Sequence, residues 1–169
     1  MSERAVGEQA RNGQARNDAA FCARVDELAA GRARHAVLSI DADDVSQVNH
    51  ESGDEAGAER STVAAAMQAA MQAALRMNDC LFQTGDGEFA VVVPVRDEGD
   101  ALRIAERIRR AAERAGWPVS VGIAVSEPGS TERGELFARA DTALRGLRRR
   151  GCNGTALAHP EQHQLLIRS

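Results

Sequence analysis

Two apolar runs, Cys80 to Thr84 and Phe89 to Val93, flank the turn Gly85-Asp86-Gly87, and this hairpin constrains the fold more than any other stretch. Glycine reaches positive φ without steric cost, so a Gly-x-Gly turn lets the chain double back within a few residues. The apolar character of both runs predicts two buried strands. Upstream, Val63, Met67, Ala70, Met71, Ala74 and Leu75 recur at a spacing of 3.6 and predict a long amphipathic helix ending near Asn78. Its methionines and alanines are a packing stripe. Arg76 and Asp79 then fall at the helix's C-terminal turn, just before the first hairpin strand. A guanidinium fork and a carboxylate delivered beside a glycine hairpin suggest recognition of a nucleotide.

The flanking segments complete the pattern. Residues 1–18 are rich in Gly, Gln, Asn, Arg and Glu without apolar periodicity, and read as a flexible arm. Phe21, Val25 and Leu28 have helical spacing, closed by Gly31. His35 to Ile40 reads as a central strand that delivers Asp41-Ala42-Asp43-Asp44 at its C-terminal end. A third helix, from about Asp100 to Ala115, uses Leu102, Ala105, Ile108 and Ala112 and stops at Gly116 and Pro118. Val119, Val121, Ile123 and Val125 alternate with Ser120, Gly122 and Ala124, the pattern of a half-buried strand. Ser130 caps a fourth helix carrying Leu136, Ala140, Ala143, Leu144 and Leu147, closed by Gly151, and the tail leaves room for a short strand or two. The order predicts an α+β fold, with residues 19–169 forming one domain.

Composition narrows the function classes. A chain of 169 residues with 43% hydrophobic and 27% charged residues reads as one soluble globular domain. No apolar run reaches about 18 residues and the N-terminus lacks a signal-peptide order, so no membrane span and a cytoplasmic location are expected. Cys22, Cys80 and Cys152 have no metal-ligand spacing and read as reduced thiols. A net charge of −4 argues against nucleic-acid binding. All 21 basic residues are arginine, so every cationic contact must come from a planar fork or a histidine.

Three segments together resemble the GGDEF domain, the family that condenses two GTP into cyclic di-GMP. They are Asp41-Ala42-Asp43-Asp44-Val45-Ser46-Gln47-Val48-Asn49 with Gly53 and Gly57, the hairpin Gly85 to Phe89, and Ala140-Asp141-Thr142-Ala143-Leu144 with Gly151 and Asn153-Gly154. Pro118 to Ala124 also suits the family strand before the last helix. The resemblance implies a palm-type, nucleotide-cyclase-like fold: a mostly antiparallel five-stranded sheet with helices on both faces.

It also implies a metal site, a guanine site and phosphate contacts, and this chain departs from the family at each. Active members hold two Mg²⁺ ions with the first Asp of the strand end, a neighbouring carbonyl and the acidic third residue of the signature, and so activate a 3′-hydroxyl. Asp41 keeps the first ligand, but Gly87 stands at the third signature position. Asp86 sits one residue early and Glu88 is the remnant acid of the signature. Asn49 is kept for guanine, whereas Ala58 replaces the second guanine acceptor. Ser46 stands at a usual Lys, Arg148 replaces another, and Cys152 replaces an Arg. Asp41, Asp43 and Asp44 equally suit a solvated acidic loop.

A second family site, at which cyclic di-GMP inhibits, uses Arg-x-x-Asp nine residues before the signature and an arginine on the next helix. Arg76, Asp79 and Arg107 match it, and guanidinium forks with a carboxylate suit the guanine edge and phosphate. The bland alternative is an i,i+3 surface pair of Arg76 with Asp79. The expected function is a non-catalytic cyclic di-GMP receptor that needs no cofactor and acts on an effector protein or through a homodimer. The alternatives are a weak diguanylate cyclase using GTP with Mg²⁺ on Asp41 and Asp86, and a ligand-free interaction module.

Overall fold

A computed structural model of the chain describes residues 19–31, 33–43, 56–85, 87–127, 133–151, 153–158 and 165–168, with backbone alone at 56–61, 133, 134 and 165–168. Helix α1 covers 19–30. There follow β1 (His35–Ala42), α2 (Ala56–Ala73), β2 (Cys80–Gly85), β3 (Glu88–Pro94), α3 (Glu98–Arg114), β4 (Val119–Val125), α4 (Arg133–Arg148), β5 (Thr155–Ala158) and β6 (Leu165–Arg168). The proposed arm, residues 1–18, and the Ser130 cap lie outside the described residues.

The sheet has six strands in the order β2-β3-β1-β4-β5-β6. Every neighbouring pair is antiparallel except β4 with β5, which α4 joins by a parallel crossover. The mostly antiparallel α+β architecture is therefore as expected, and the tail widens the sheet by supplying β5 and β6.

Helices cover both faces. On one, Leu38 and Ile40 of β1, Phe89 and Val91 of β3 and Val121 and Ile123 of β4 pack against Met67 and Met71 of α2 and Ile104 and Ile108 of α3. On the other, Val37, Val92 and Ala124 meet Val25 of α1 and Leu136 and Ala140 of α4. There Phe21 sits edge-on to Phe82 and Phe137, with ring centroids 5.6 and 5.5 Å apart.

The second layer corrects the reading of β4 as half-buried. All seven of its residues are buried, Ser120 included, because α4 covers the side that alternation assigns to solvent. A Cβ built on Gly122 would overlap the carbonyl of Ala140 and lie 2.5 Å from the nitrogen of Leu144. The missing side chain at Gly122 is what lets the α4 backbone lie this close to the strand.

Helix α2 also ends earlier than its apolar period suggests. It stops at Ala73, and the N–H groups of Ala74 and Leu75 bond three residues back to Met71 and Gln72. This tightened exit places Arg76 and Asp79 in the connection to β2 rather than on the helix. Among the described residues no helix is long and apolar enough to cross a membrane.

Candidate functional site

The connection between α2 and β2 is gripped from both layers. Asp79 closes it locally: its N–H donates to the Arg76 carbonyl at 3.0 Å, and its carboxylate accepts from the Arg76 N–H at 2.8 Å. From α3, Arg107 donates through Nε to the Ala74 carbonyl at 2.5 Å and brings Nη2 to 3.6 Å from Asp79 Oδ2. From α1, Arg24 donates through Nη2 to the Asn78 carbonyl at 2.8 Å while Glu27 holds its Nη1.

The Asp79 side chain is only 4% exposed, so it is no surface partner of the Arg76 guanidinium. Both contacts to its carboxylate fall on Oδ2, leaving Oδ1 without a protein partner among the described residues. Arg76 is exposed, and among the described residues no ion pair engages its guanidinium. Arg76, Asp79 and Arg107 are thus brought together, as their placement in the sequence suggests. Arg24 had no signal in the sequence, because its partner is a carbonyl 54 residues away. Arg107 also lines a groove of about 690 Å³ along α3, beside Arg103, Arg110 and Arg114.

A second cluster forms at the C-terminal end of β1. Asp41 pairs in register with Glu88 on β3 and Ser120 on β4. The Ala42 N–H donates to the Gly87 carbonyl at 3.1 Å, fixing the hairpin turn against the strand end. Gly87 has φ 75°, the left-handed conformation glycine adopts freely. Arg148, in the last turn of α4, sets its Nη1 against Asp41 Oδ2 as an ion pair. Burial pushes the Asp41 carboxyl above its usual range, Arg148 pulls it back, and the negative charges of Glu88 and Asp43 add to the rise. Burial outweighs the ion pair here because the Asp41 side chain is only 13% exposed.

Asp43 has a separate role. Its Oδ1 accepts from the Ser120 hydroxyl and its Oδ2 from the Asn153 N–H at 3.1 Å. The same N–H reaches Ser120 Oγ at 2.9 Å, and Arg109 donates to the Asn153 side-chain oxygen at 2.9 Å. Asp43 therefore ties the β1 end to the α4–β5 connection, which corrects its reading as a solvated loop residue. Asp41 is likewise a half-enclosed strand-end residue. The buried Ser120 carried a weak signal, a lone hydroxyl in an apolar strand, whereas Asn153 carried none for this role. Glu88 is exposed on the hairpin. Asn49, Ala58 and Cys152 fall outside the residues or side chains described, as does Asp86.

The donor set can be weighed against the divalent ions of the family resemblance. Asp41 is taken by Arg148, both oxygens of Asp43 are occupied, and Gly87 has no side-chain oxygen. Among the described residues no group of three or more His, Cys, Asp or Glu side chains is placed to hold a metal ion.

The family model for "Diguanylate cyclase, GGDEF domain" matches residues 17–154. Comparison with curated proteins finds no match. Among solved structures, the GGDEF domain of YfiN (TpbB) from Pseudomonas aeruginosa shares 28% identity over 83% of this chain and 94% of that one, with a TM-score of 0.70. The active GGEEF domain of a diguanylate cyclase from Vibrio cholerae shares 21% identity, covering 85% and 94% of the two chains, at 0.68. The GGDEF domain of DgcB from Caulobacter crescentus, solved in complex with c-di-GMP, shares 21% identity, covering 83% and 87%, at 0.70. The last two establish likeness of fold alone. The family match spans every element from α1 to the α4–β5 connection, both clusters included, and the chain therefore belongs to the GGDEF domain family, related to the diguanylate cyclases of c-di-GMP signalling.

Proposed function

We propose that this domain is a non-catalytic receptor for cyclic di-GMP, binding it with Arg76, Asp79 and Arg107. The observation that carries this reading is the convergence of these three residues on one short connection, with the Arg76 guanidinium exposed and without an ion pair among the described residues. Arg76 forks onto a guanine O6/N7 edge or a phosphate, and its plane can also stack on the base. Asp79 Oδ1 accepts from the guanine N1 and N2 hydrogens, while Oδ2 keeps the connection in shape. Arg107, already packed on the Ala74 carbonyl, adds a second cation at little further cost in side-chain entropy.

Two structures of like fold show what kind of ligand and partner such a domain can take. The DgcB domain was solved with c-di-GMP, and the diguanylate cyclase SiaD from Pseudomonas aeruginosa with its activator SiaC. Signal output from this chain then passes to an effector protein or through a homodimer assembled on the ligand. GGDEF domains generally use Mg²⁺ when active; the receptor needs none. The Gly87, Ala58 and Cys152 departures support the non-catalytic reading.

Calorimetry with cyclic di-GMP tests the proposal. Wild type is expected to bind and Arg76→Ala to lose binding; no heat with wild type at about 100 μM ligand, where even a weak complex registers, overturns it. Incubation with GTP and Mg²⁺ tests the non-catalytic half. Product formed by wild type and lost in Asp41→Ala would instead establish a cyclase that uses GTP and Asp41, the reading in which Asn49 and Asp86 would also take part.

A further inference from the structure

We propose that Arg148 is the resident cation of the site at the end of β1, a tethered guanidinium standing where the family places a divalent ion. This rests on the non-catalytic half of the reading above and is independent of cyclic di-GMP binding.

Three observations carry it. First, the charge at the strand end calls for a cation. Asp41 and Glu88 are paired across β1 and β3, and Asp43 lies two residues further on. Among the described residues, the guanidinium seated on the Asp41 carboxylate is that of Arg148. It sits in the last turn of α4, where the helix dipole also favours a positive charge.

Second, most of the oxygens a metal would need are already engaged. Recruiting Asp43 would break its bonds to the buried Ser120 hydroxyl and to the Asn153 N–H. The Gly87 carbonyl is held by the Ala42 N–H, and Gly87 has no side chain to offer. A divalent ion arriving at Asp41 must therefore displace the Arg148 guanidinium before it can use the Asp41 and Glu88 carboxylates, with Asp43 committed beside them.

Third, the replacement is permanent under ordinary conditions. A guanidinium does not deprotonate and cannot be removed by dilution or chelation, unlike a bound ion. The strand end can then keep its acidic residues, and the shape they impose on the hairpin, without any metal in solution.

Mn²⁺ binding read by electron paramagnetic resonance separates the possibilities. Wild type is expected to leave the free Mn²⁺ signal undiminished, and Mg²⁺ to leave its thermal midpoint unmoved. Arg148→Gln should gain Mn²⁺ affinity by about tenfold or more, the effect of removing one competing charge. Arg148→Lys should stay silent, and Arg148→Gln combined with Asp41→Asn should lose the gain. Mn²⁺ uptake by wild type equal to that of Arg148→Gln, or no gain in a folded Arg148→Gln, overturns the proposal. If Arg148→Gln does not fold, the wild-type measurements decide alone: uptake of Mn²⁺ or a Mg²⁺-induced rise in midpoint overturns it. Cyclic di-GMP calorimetry on the same samples keeps the two readings apart. Its failure would remove the receptor function and leave the Arg148 assignment standing.

Discussion

At the residue scale, the Arg76–Asp79 pair divides a buried structural carboxylate from an exposed guanidinium that the proposal assigns to the ligand. Asp79 is buried, accepts from the Arg76 N–H and lies 3.6 Å from Arg107 Nη2 as an ion pair, so Asp79→Ala leaves one donor short of an acceptor and a part-buried guanidinium without its counter-charge. A loss of about 1–3 kcal/mol is expected by chemical denaturation. Arg76 is exposed, and Arg76→Ala should change stability by less than about 0.5 kcal/mol. Both variants should lose cyclic di-GMP in calorimetry. Equal stability losses would mean that the Arg76 side chain, and not only its backbone, holds the connection. The carboxylates also predict opposite pH trends. Asp41 is raised above its usual 3.8, so the folded state holds this proton more tightly than the unfolded chain does. Its contribution to stability falls as pH rises through the window above 3.8. Asp41→Asn should therefore gain on wild type across that window in denaturation at stepped pH. Asp100, held at about 2 by Arg96, works the other way, its contribution lost as pH falls from 3.8 toward 2.

At the element scale, the contact of α4 with β4 depends on one absent side chain. In Gly122→Ala the new methyl would meet the Ala140 carbonyl and the backbone at Leu144, and neither can rotate away. The helix must shift as a body, and a destabilisation of about 3 kcal/mol is expected by thermal or chemical unfolding. Because Arg148 closes the same helix, this variant should also disturb the ion pair with Asp41. A variant as stable as wild type would show that the two backbones can separate freely. The α2–β2 connection works by the opposite device: side chains from α1 and α3 reach in and hold a backbone that no regular hydrogen-bond ladder supports.

At the scale of the whole molecule, the six-stranded sheet separates two cores, and the tail belongs to them. Leu157 on β5 is 1% exposed and lies in the larger core with Ile123 and Ile108. Leu157→Ala should cost about 2–5 kcal/mol, as for any fully enclosed leucine. A cost under about 1 kcal/mol would mean that β5 is an appendage to the sheet and not part of its core.

The sequence alone determined the elements from α1 to α4 and their order, because helix period, strand runs, glycine turns and helix stops are signals carried within a few neighbours. Read against its family resemblance, it also pointed to Arg76, Asp79 and Arg107, since a short motif at the family's offset survives in the letters. Its resemblance to the GGDEF family set the sheet class. What it left undecided depends on contacts between distant segments. That β4 is buried on both faces follows from where α4 docks. The tight exit of α2 follows from a carboxylate bonding back to the chain. The partners of Asp41 and Asp43, Arg148 and Asn153, lie 107 and 110 residues away. Side-chain chemistry can be read one residue at a time, but the choice of partner is made by packing. Hence the hairpin and its acidic neighbours were legible as a candidate site, and only the tertiary structure seated an arginine on Asp41.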